Sequence, residues 1–376
     1  MKNGTEKTQT YRWIVLAGCA AVVCGILIAT LSPFNPSPKN EVSWLVHDNG
    51  LFFGDYGEIL SSGLFLQGNS IQQGPCSVEI WMRPTLSVDS NSIIDFYTPV
   101  NPLKFRIRQD GDMLRVLRQV AVGRFSDTTA AIRIEHVFKA NTDVLITVTS
   151  DSREASVYLN GERYTSSANF GLSAADFTGR LLIGNSPVAN DSWSGSLRGL
   201  AFFDRQLTAP EVLQHYKTWV GQAEFAVNLQ ERPIAIYLFD ERAGSVVHNL
   251  VKSEPDLEIP SHYFILRSQF LEAPWREFNA TWGYWKDVAL NIGGFIPLGM
   301  FFCAYFSLSR RHGRPVLKAV LVGGTLSLIV ETLQGFLPTR DSSMTDVLSN
   351  TLGAGLGALF YVSRTARSFL KMAGVR

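Results

Sequence analysis

Long apolar runs flank a long stretch of mixed sequence in this chain. The first run extends from Trp13 to Leu31 without a charged residue, which is enough to cross the roughly 30 Å hydrocarbon core of a bilayer. Three further runs follow near the C-terminal end, at about residues 288–308, 316–337 and 347–362. The pattern predicts four transmembrane helices, with a soluble segment between the first and the second.

The first run has two other interpretations. One is a cleaved signal peptide, although the run is long for one and no clean small-x-small cleavage site follows it. The other is a lipoprotein signal, because residues 16–19 read Leu-Ala-Gly-Cys, although only six apolar residues precede Cys19. The length of the run favours an uncleaved transmembrane helix.

The charges between the apolar runs predict the direction of each crossing. The connection at residues 309–314 is strongly basic, the connection at residues 338–344 is neutral, and the C-terminal tail is basic. The excess of Lys and Arg on cytoplasmic segments places both chain termini and residues 309–314 in the cytoplasm, and residues 32–286 and 338–344 outside. Aromatic residues of the kind found at membrane–water boundaries precede the second run: Trp275, Trp282, Tyr284 and Trp285.

Short alternating segments between turn signals fill residues 50–260. Clear examples are residues 77–82, 144–148 and 156–159, and the last of these is followed by Asn160-Gly161, a strong hairpin signal. Many short strands at this spacing predict an all-β sandwich. One helix is expected at Ala209–Trp219, with Thr208 and Glu211 forming a capping box.

Composition excludes several classes of function. The net charge of +1 gives no electrostatic reason to expect nucleic acid as a partner. Of the four cysteines only Cys76 lies in the soluble stretch, so this stretch has no internal disulfide framework. No Cys/His cluster indicates zinc, and no known nucleotide-binding or hydrolase motif is present. No cofactor or metal is therefore expected from motifs alone.

Polar residues concentrate at the predicted outer ends of the last three helices. They comprise Asp287, Asn291, Glu331, Gln334, Arg340, Asp346 and Asn350. Helical spacing places Gly324, Ser327, Glu331 and Gln334 on one face, and Asp346, Asn350, Gly353 and Gly357 on another. Small residues let helices approach, so the polar side chains should point into the bundle.

Two interpretations of this polar group remain open. Ionisable residues inside a membrane often mark a binding site, and Arg340 could grip an anionic headgroup while Asn291, Gln334 and Asn350 orient it. Glu331 and Asp346 would then hold Arg340 or bind a cation. Alternatively, the side chains only lock the helices together, for example through a Glu331–Arg340 pair.

The soluble stretch resembles the laminin-G/concanavalin A-like jelly-roll family. The resemblance covers about residues 50–260 and rests on the segments SVEIWMRP, VYLNGE, LLIGN, WSGSLRGLAFFDRQLTAPEV and IAIYLFDERAGSVVHNL. It implies glycan or ligand binding in a jelly-roll sandwich, and leaves a Ca²⁺ ion in the sandwich open. Isolated acids such as Asp95 and Asp191 read as turn, calcium-type or solvated residues, and no paired carboxylates of the glucanase kind are seen. A non-catalytic spacer is the alternative.

The membrane part resembles the VanZ-like family of bacterial membrane proteins. The resemblance rests on DVALNIGGFIPLG and ETLQGFLPTRDSSMTDVLSNTLGAGLG within residues 287–363, and on Leu31-Ser-Pro33. It implies a multi-pass protein of the bacterial cytoplasmic membrane, and its founding member is linked to low-level glycopeptide resistance. This chain departs from a minimal member by about 230 extra residues, which puts transfer of that phenotype in doubt.

Together these observations predict a multi-domain protein. The expected parts are residues 1–34 with the first helix, a linker at 35–49, the sandwich at 50–260, an aromatic juxtamembrane segment at 261–286, a three-helix membrane domain at 287–363 and a cytoplasmic tail at 364–376. The leading hypothesis is non-enzymatic: the sandwich binds a surface glycan, and the membrane core engages a lipid-linked ligand. An enzyme acting on a lipid-linked precursor through Glu331, Arg340 and Asp346, with Glu331 as the catalytic candidate, and a small transporter or flippase are the alternatives.

Overall fold

Two compact units make up the chain in a computed structural model. The structure describes residues 2–66, 74–85, 90–121, 128–188, 190–220, 231, 233–252, 254–267, 270–278, 282–308 and 313–363. One unit combines residues 1–36 with residues 268–376, and the other is the intervening stretch, residues 37–267. The predicted basic tail and most of the basic connection at 309–314 lie outside the described residues.

The intervening unit is a sandwich of two eight-stranded antiparallel sheets. The first sheet has the order β1-β2-β13-β4-β9-β10-β11, with β14 also paired to β13. The second has the order β15-β16-β3-β12-β5-β6-β7-β8. Strands of the first sheet are β1 Val42–Trp44, β2 Leu51–Phe53, β4 Cys76–Pro84, β9 Val144–Ser150, β10 Ala155–Leu159, β11 Glu162–Ser167, β13 Gly195–Phe203 and β14 Pro233–Tyr237. Strands of the second are β3 Ile59–Ser61, β5 Ser90–Tyr97, β6 Phe105–Asp110, β7 Met113–Ala121, β8 Thr128–Ile134, β12 Arg180–Ile183, β15 Val246–Val247 and β16 Leu257–Glu258.

The alternating apolar residues of both sheets face one shared core. On β4, Val78, Ile80 and Met82 lie in this core, as the predicted alternation requires, whereas Trp81 belongs to a second buried cluster on the other face of the sheet. Aromatic rings from different strands meet in the centre, where Phe96 lies edge-on to Phe65 and to Phe202 at centroid distances of 5.3 Å. Edge-to-face packing of this kind adds to the apolar burial and stabilises the pairing of the two sheets.

Local sequence signals set the turn and the helix that flank the first sheet. Asn160 and Gly161 connect β10 to β11 with φ of 52° and 83°, the left-handed conformations that a two-residue hairpin turn requires. Helix α2 covers Ala209–Trp219 and begins with the predicted capping box, in which Glu211 Oε2 accepts the Thr208 N–H at 2.7 Å. Both predictions are confirmed.

Two acids that read as isolated are in fact ion-paired within the sandwich. Asp95 lies on β5 with no exposed surface, its carboxylate is bonded to the Ser92 hydroxyl, and it faces Arg106 at 3.9 Å. Burial raises the pKa of Asp95 to about 7, against the lowering effect of Arg106. Asp191 pairs with Arg108 at 2.9 Å. The solvated interpretation of Asp95 was therefore wrong, because a single sequence does not reveal which arginine comes to lie opposite an acid.

The other unit is helical. Its helices are α1 Lys2–Leu31, the short α3 Pro274–Glu277, α4 Trp282–Ser307, α5 Pro315–Gln334 and α6 Met344–Val362. Three segments among the described residues are long and apolar enough to cross a membrane: Gln9–Leu31, Trp282–Ser307 and Pro315–Gln334. Helix α6 forms where a fourth span is expected, but it is not among these three, so the count of four spans is not confirmed. Its Asp346 and Asn350 lower its apolar character.

A buried ionic triad links α2 to the first sheet. His215 of α2 lies between two carboxylates, with Nδ1 2.7 Å from Glu79 of β4 and Nε2 2.9 Å from Glu231. Its ring also stacks on Trp219 at 5.3 Å. Burial lowers the pKa of His215, but the hydrogen bonds and charges of Glu79 and Glu231 outweigh this effect, so the pKa is raised above 6.5.

The triad predicts a pH-dependent contribution to the stability of the sandwich. Because the folded-state pKa of His215 is raised, the stabilisation is complete below the unfolded value of 6.5 and is lost as pH rises through the folded value. Removing one member of a buried ion pair costs about 3–5 kcal/mol. His215→Gln should therefore lower the thermal midpoint most near pH 6, with the deficit shrinking towards pH 9, as followed by tryptophan fluorescence. A deficit that stays constant over this range would contradict the account.

Candidate functional site: the polar cluster of the helical unit

Glycines bring the helices of the membrane unit into close contact. A Cβ atom added at Gly353 or Gly357 of α6 would collide with the backbone carbonyls of Ile292 and Ile296 on α4. One added at Gly299 of α4 would collide with the Ala354 carbonyl of α6. The backbones of α4 and α6 therefore touch along these faces, as the small-residue pattern predicts.

Glu331 of α5 lies at the centre of the polar cluster. Its side chain is almost inaccessible, at 2% exposure, and its Oε2 accepts the backbone N–H of Ser343 at 2.8 Å. The Ser343 hydroxyl in turn donates to Glu277 of α3 at 2.6 Å. Ser343 also caps α6, since its Oγ accepts the N–H of Thr345 at 3.0 Å. Glu331 thus links the start of α6 to α5, and Ser343 links it to α3.

Two amide side chains cross between helices. Asn291 of α4 donates from Nδ2 to Asp346 Oδ1 of α6 at 2.7 Å. Asn350 of α6 donates from Nδ2 to the Ser327 hydroxyl of α5 at 2.9 Å, and both residues are buried. The buried Oδ1 of Asn350 has no donor among the described residues. These bonds join α4, α5 and α6 in pairs.

Gln334 and Arg340 hold the end of α1. Gln334 Nε2 donates to the Thr30 carbonyl at 3.0 Å, while its buried Oε1 has no donor within the described part of the chain. Arg340 Nη2 donates to the Ser32 carbonyl at 2.7 Å. The expected Glu331–Arg340 pair does not occur among the described contacts, because Glu331 is directed to the Ser343 N–H instead. Arg340 remains half-exposed.

The predicted residues therefore separate into an inner group and an outer group. The outer group is Asp287, Gln334 and Arg340. The inner group, formed by Asn291, Glu331, Asp346 and Asn350, is joined by interhelical hydrogen bonds. Asp287 is exposed on the first turns of α4 and interacts electrostatically with Asp346. Among the described residues no group of three His, Cys, Asp or Glu side chains is arranged to hold a metal ion.

Several participants were not predicted from the sequence. Ser342 takes part through its hydroxyl, which accepts the Leu271 N–H at 3.2 Å, and Glu277 and Ser343 take part as described above. The spacing Ser343-x-x-Asp346 ahead of an apolar run is a helix-start signal that could have identified Ser343 as the cap of α6. No sequence signal connects Glu277 to this place, because its contacts depend on how the segment before α4 folds back.

The arrangement favours binding over acid–base catalysis. Glu331, the catalytic candidate, is nearly inaccessible and its Oε2 is already used. The group with remaining capacity at the surface is the partly exposed guanidinium of Arg340, which has five N–H donors, while the amide oxygens of Gln334 and Asn350 are buried acceptors without a donor among the described residues. The guanidinium suits an anionic group of a ligand, whereas the two amide oxygens suit a hydrogen-bond donor.

Comparison with known protein families assigns both parts of the chain. Residues 236–367 match the family model VanZ/LLP1, and residues 59–213 match that of the Concanavalin A-like lectin/glucanases superfamily. The chain combines a VanZ-like region with a concanavalin A-like domain. Both resemblances drawn from the sequence are confirmed, and the chain is a membrane protein with an all-β sandwich domain.

Solved structures similar to this chain align over about half of it. One is a candidate carbohydrate binding protein from Bacteroides ovatus, 14% identical, covering 57% of this chain and 58% of that one with a TM-score of 0.41. Another is the ligand binding domain of botulinum neurotoxin serotype D in complex with N-acetylneuraminic acid, 16% identical, covering 48% and 45% with a TM-score of 0.38. The chain thus spans about half the length of these structures, and at these TM-scores the likeness carries no functional argument. No protein with a curated description matches the chain.

The glycine contacts give a direct test of the helix packing. Gly357→Ala should destabilise the helical unit by about 1–3 kcal/mol, because the new methyl group must displace the α4 backbone. Gly355→Ala on the same helix is the matched control, since its Cβ would lie 3.6 Å from Val320 Cγ2, an ordinary contact. Thermal unfolding in detergent measures both variants. Equal behaviour of the two would show that α4 and α6 do not touch at this position.

Proposed function

We propose that this chain is a bacterial envelope protein whose concanavalin A-like domain binds a glycan outside the cytoplasmic membrane, while the VanZ-like helices anchor that domain in the lipid. The observation that carries the proposal is the order of the parts. A complete β-sandwich unit, residues 37–267, lies in the sequence between two helices that are each long and apolar enough to span a membrane. A domain so placed is attached to the membrane at both ends.

The proposed topology has four spans with both termini in the cytoplasm. Helix α6 is the fourth span, although its polar residues lower its hydropathy. Those residues are paired inside the bundle, Asp346 with Asn291 and Asn350 with Ser327, so the cost of placing them in lipid is reduced. The basic connection at residues 309–314 supports a cytoplasmic position for that loop, which leaves the sandwich and the polar cluster on the outer side.

A lectin role is favoured over a glucanase role for the sandwich. Glycosidases act through two carboxylates placed across the scissile bond. The two most buried acids of the sandwich are each paired with a basic side chain: Asp95 faces Arg106, and Glu79 is bonded to His215. Binding without cleavage is therefore the activity we assign to the domain.

Glycan binding by the intact protein tests this assignment. The full-length chain in lipid nanodiscs should bind a subset of bacterial envelope glycans on an array. A variant in which residue 36 is joined to residue 268 should insert into the membrane but bind none of them, because it lacks the whole sandwich. Equal binding by the shortened variant would assign recognition to the helices, and no binding by the parent would contradict the proposal.

A second candidate function concerns the outer end of the helical unit. The partly exposed Arg340 favours a site for an anionic, lipid-linked ligand, whose phosphate oxygens it would bind, while the amide oxygens of Gln334 and Asn350 can accept only from donor groups of such a ligand, for example hydroxyls. Asp287, Asp346 and Glu331 would supply the acidic side of the same site or restrain its helices.

Arg340 variants test the second candidate. Arg340→Ala should weaken the preference of the purified protein for phosphatidylglycerol over phosphatidylcholine, measured by native mass spectrometry of bound lipid. Arg340→Lys should recover only part of it, because a lysine keeps the charge but not the bidentate geometry. The thermal midpoint of each variant controls for the lost bond to Ser32. Unchanged lipid preference in Arg340→Ala would leave Arg340 a purely structural residue.

A further inference from the structure

A groove lies at the edge of the first sheet, where strand β11 begins. It encloses about 480 Å³ and is formed by the connection between β8 and β9, by the β10–β11 hairpin and by Tyr216 of α2. This volume falls within the ~300–1,000 Å³ range of small-ligand sites. Its lining residues are different from those of the polar cluster of the helical unit.

One wall of the groove is held in a fixed shape. Asn160 makes two hydrogen bonds to Leu145 of β9. Its backbone N–H donates to the Leu145 carbonyl at 2.9 Å, and its Oδ1 accepts the Leu145 N–H at 2.9 Å. Its neighbour Gly161 packs so closely on α2 that an added Cβ would lie 3.0 Å from Tyr216 Cβ. The hairpin, β9 and α2 therefore form one rigid support, which reduces the ordering cost of binding.

The lining combines an aromatic surface with polar groups. Tyr164 is 58% exposed, far more than the core aromatics, and Tyr216 of α2 also lines the groove. The Asn160 amide accepts the Leu145 N–H through its Oδ1, and His136, 82% exposed, is bonded through Nδ1 to Asp112 at 2.7 Å. An apolar ring face flanked by planar donors and acceptors matches the chemistry of a sugar, which presents C–H faces and hydroxyls.

The charge of the groove is close to balanced. Asp143 is neutralised by Arg83 and by Arg198, whose Nε lies 3.4 Å away, and Arg163 lies 3.6 Å from Glu154. A groove with balanced charges has no strong electrostatic field that would attract a highly charged ligand. An uncharged ligand with many hydroxyl groups fits it better than a phosphorylated one.

The edge of the sheet argues against a peptide strand as the occupant. Strand β11 pairs only with β10 among the described strands, but it begins with the exposed residues Glu162, Arg163 and Tyr164. The β10–β11 register also shifts between Val157 and Tyr158. Charged residues and an irregular register both discourage the addition of another strand.

From these observations we propose that the groove between the β10–β11 hairpin, the β8–β9 connection and α2 binds a short uncharged segment of a glycan, with Tyr164 as the stacking platform. The inference rests on the proposed glycan-binding function and locates it. Tyr164 supplies the ring that stacks on the sugar, Asn160 and His136 supply hydrogen bonds to its hydroxyls, and Tyr216 adds a second aromatic side chain to the lining.

The test uses the full-length protein in nanodiscs and a glycan that the parent binds on the array. Tyr164→Ala should weaken binding by at least about tenfold, as expected for a central aromatic anchor. Tyr164→Phe should retain most of the affinity, because the ring remains. Phe52→Ala is the matched control, since Phe52 is an aromatic of β2, 40% exposed, near the opposite end of the same sheet.

The outcomes separate the groove from the wider function. Selective loss in Tyr164→Ala, with Phe52→Ala unchanged, supports the groove. If the parent binds a glycan and Tyr164→Ala binds it equally well, the groove is not the site while the glycan-binding function stands. If the parent binds no glycan, the result contradicts both the groove as a site and the glycan-binding function. Equal losses in Tyr164→Ala and Phe52→Ala would also overturn the groove, because the effect would then be general.

Discussion

The helical unit depends on the pairing of polar side chains between helices whose surroundings are otherwise apolar. An unpaired carboxyl or amide is costly in hydrocarbon, so each of these groups needs a partner on a neighbouring helix. Glu331 accepts the Ser343 N–H, Asp346 accepts a hydrogen bond from Asn291, and Asn350 donates one to Ser327. The Asn291–Asp346 bond joins α4 and α6, the two helices whose backbones approach closely at Gly353 and Gly357. Glycine contact and polar pairing are therefore two parts of one packing solution.

The sandwich solves a different problem with its own core. Its two sheets bury a continuous set of aromatic and aliphatic side chains, including Phe96 and Phe202, without any described contribution from the helical unit. Charged residues are accommodated where a partner is available, as for His215 between Glu79 and Glu231. A domain with a complete core of its own can present a ligand groove on its surface while its chain ends lead into membrane helices.

Much of the architecture could be predicted because it depends on local patterns. Alternating apolar positions identify strands such as β4, the Asn160-Gly161 pair identifies a hairpin, and the Thr208/Glu211 box identifies the start of α2. Long apolar runs identify α1, α4 and α5 in the same way. Helix α6 also forms where the sequence predicts a helix, but its membrane crossing stays a prediction, because local hydropathy does not include the pairing of its Asp346 and Asn350 with other helices.

The site was harder to predict because its geometry is non-local. Helical spacing correctly groups Glu331 with Ser327, and Asp346 with Asn350, but it cannot show that Arg340 reaches Ser32 instead of Glu331. The role of Glu277 depends on the fold of residues 270–278, for which no periodic signal exists. The groove beside Tyr164 is likewise assembled from three segments that are far apart in sequence.

The central claim is that the polar ends of α4, α5 and α6 face the outer side of the membrane, together with the sandwich. Labelling of single cysteines by a membrane-impermeant thiol reagent tests this most directly, in a chain whose four natural cysteines are replaced by serine. Position 341, exposed beside the polar cluster, should be labelled in intact cells, and position 313, in the connection before α5, only after the cells are permeabilised. Labelling of position 313 but not of position 341 in intact cells would contradict the account.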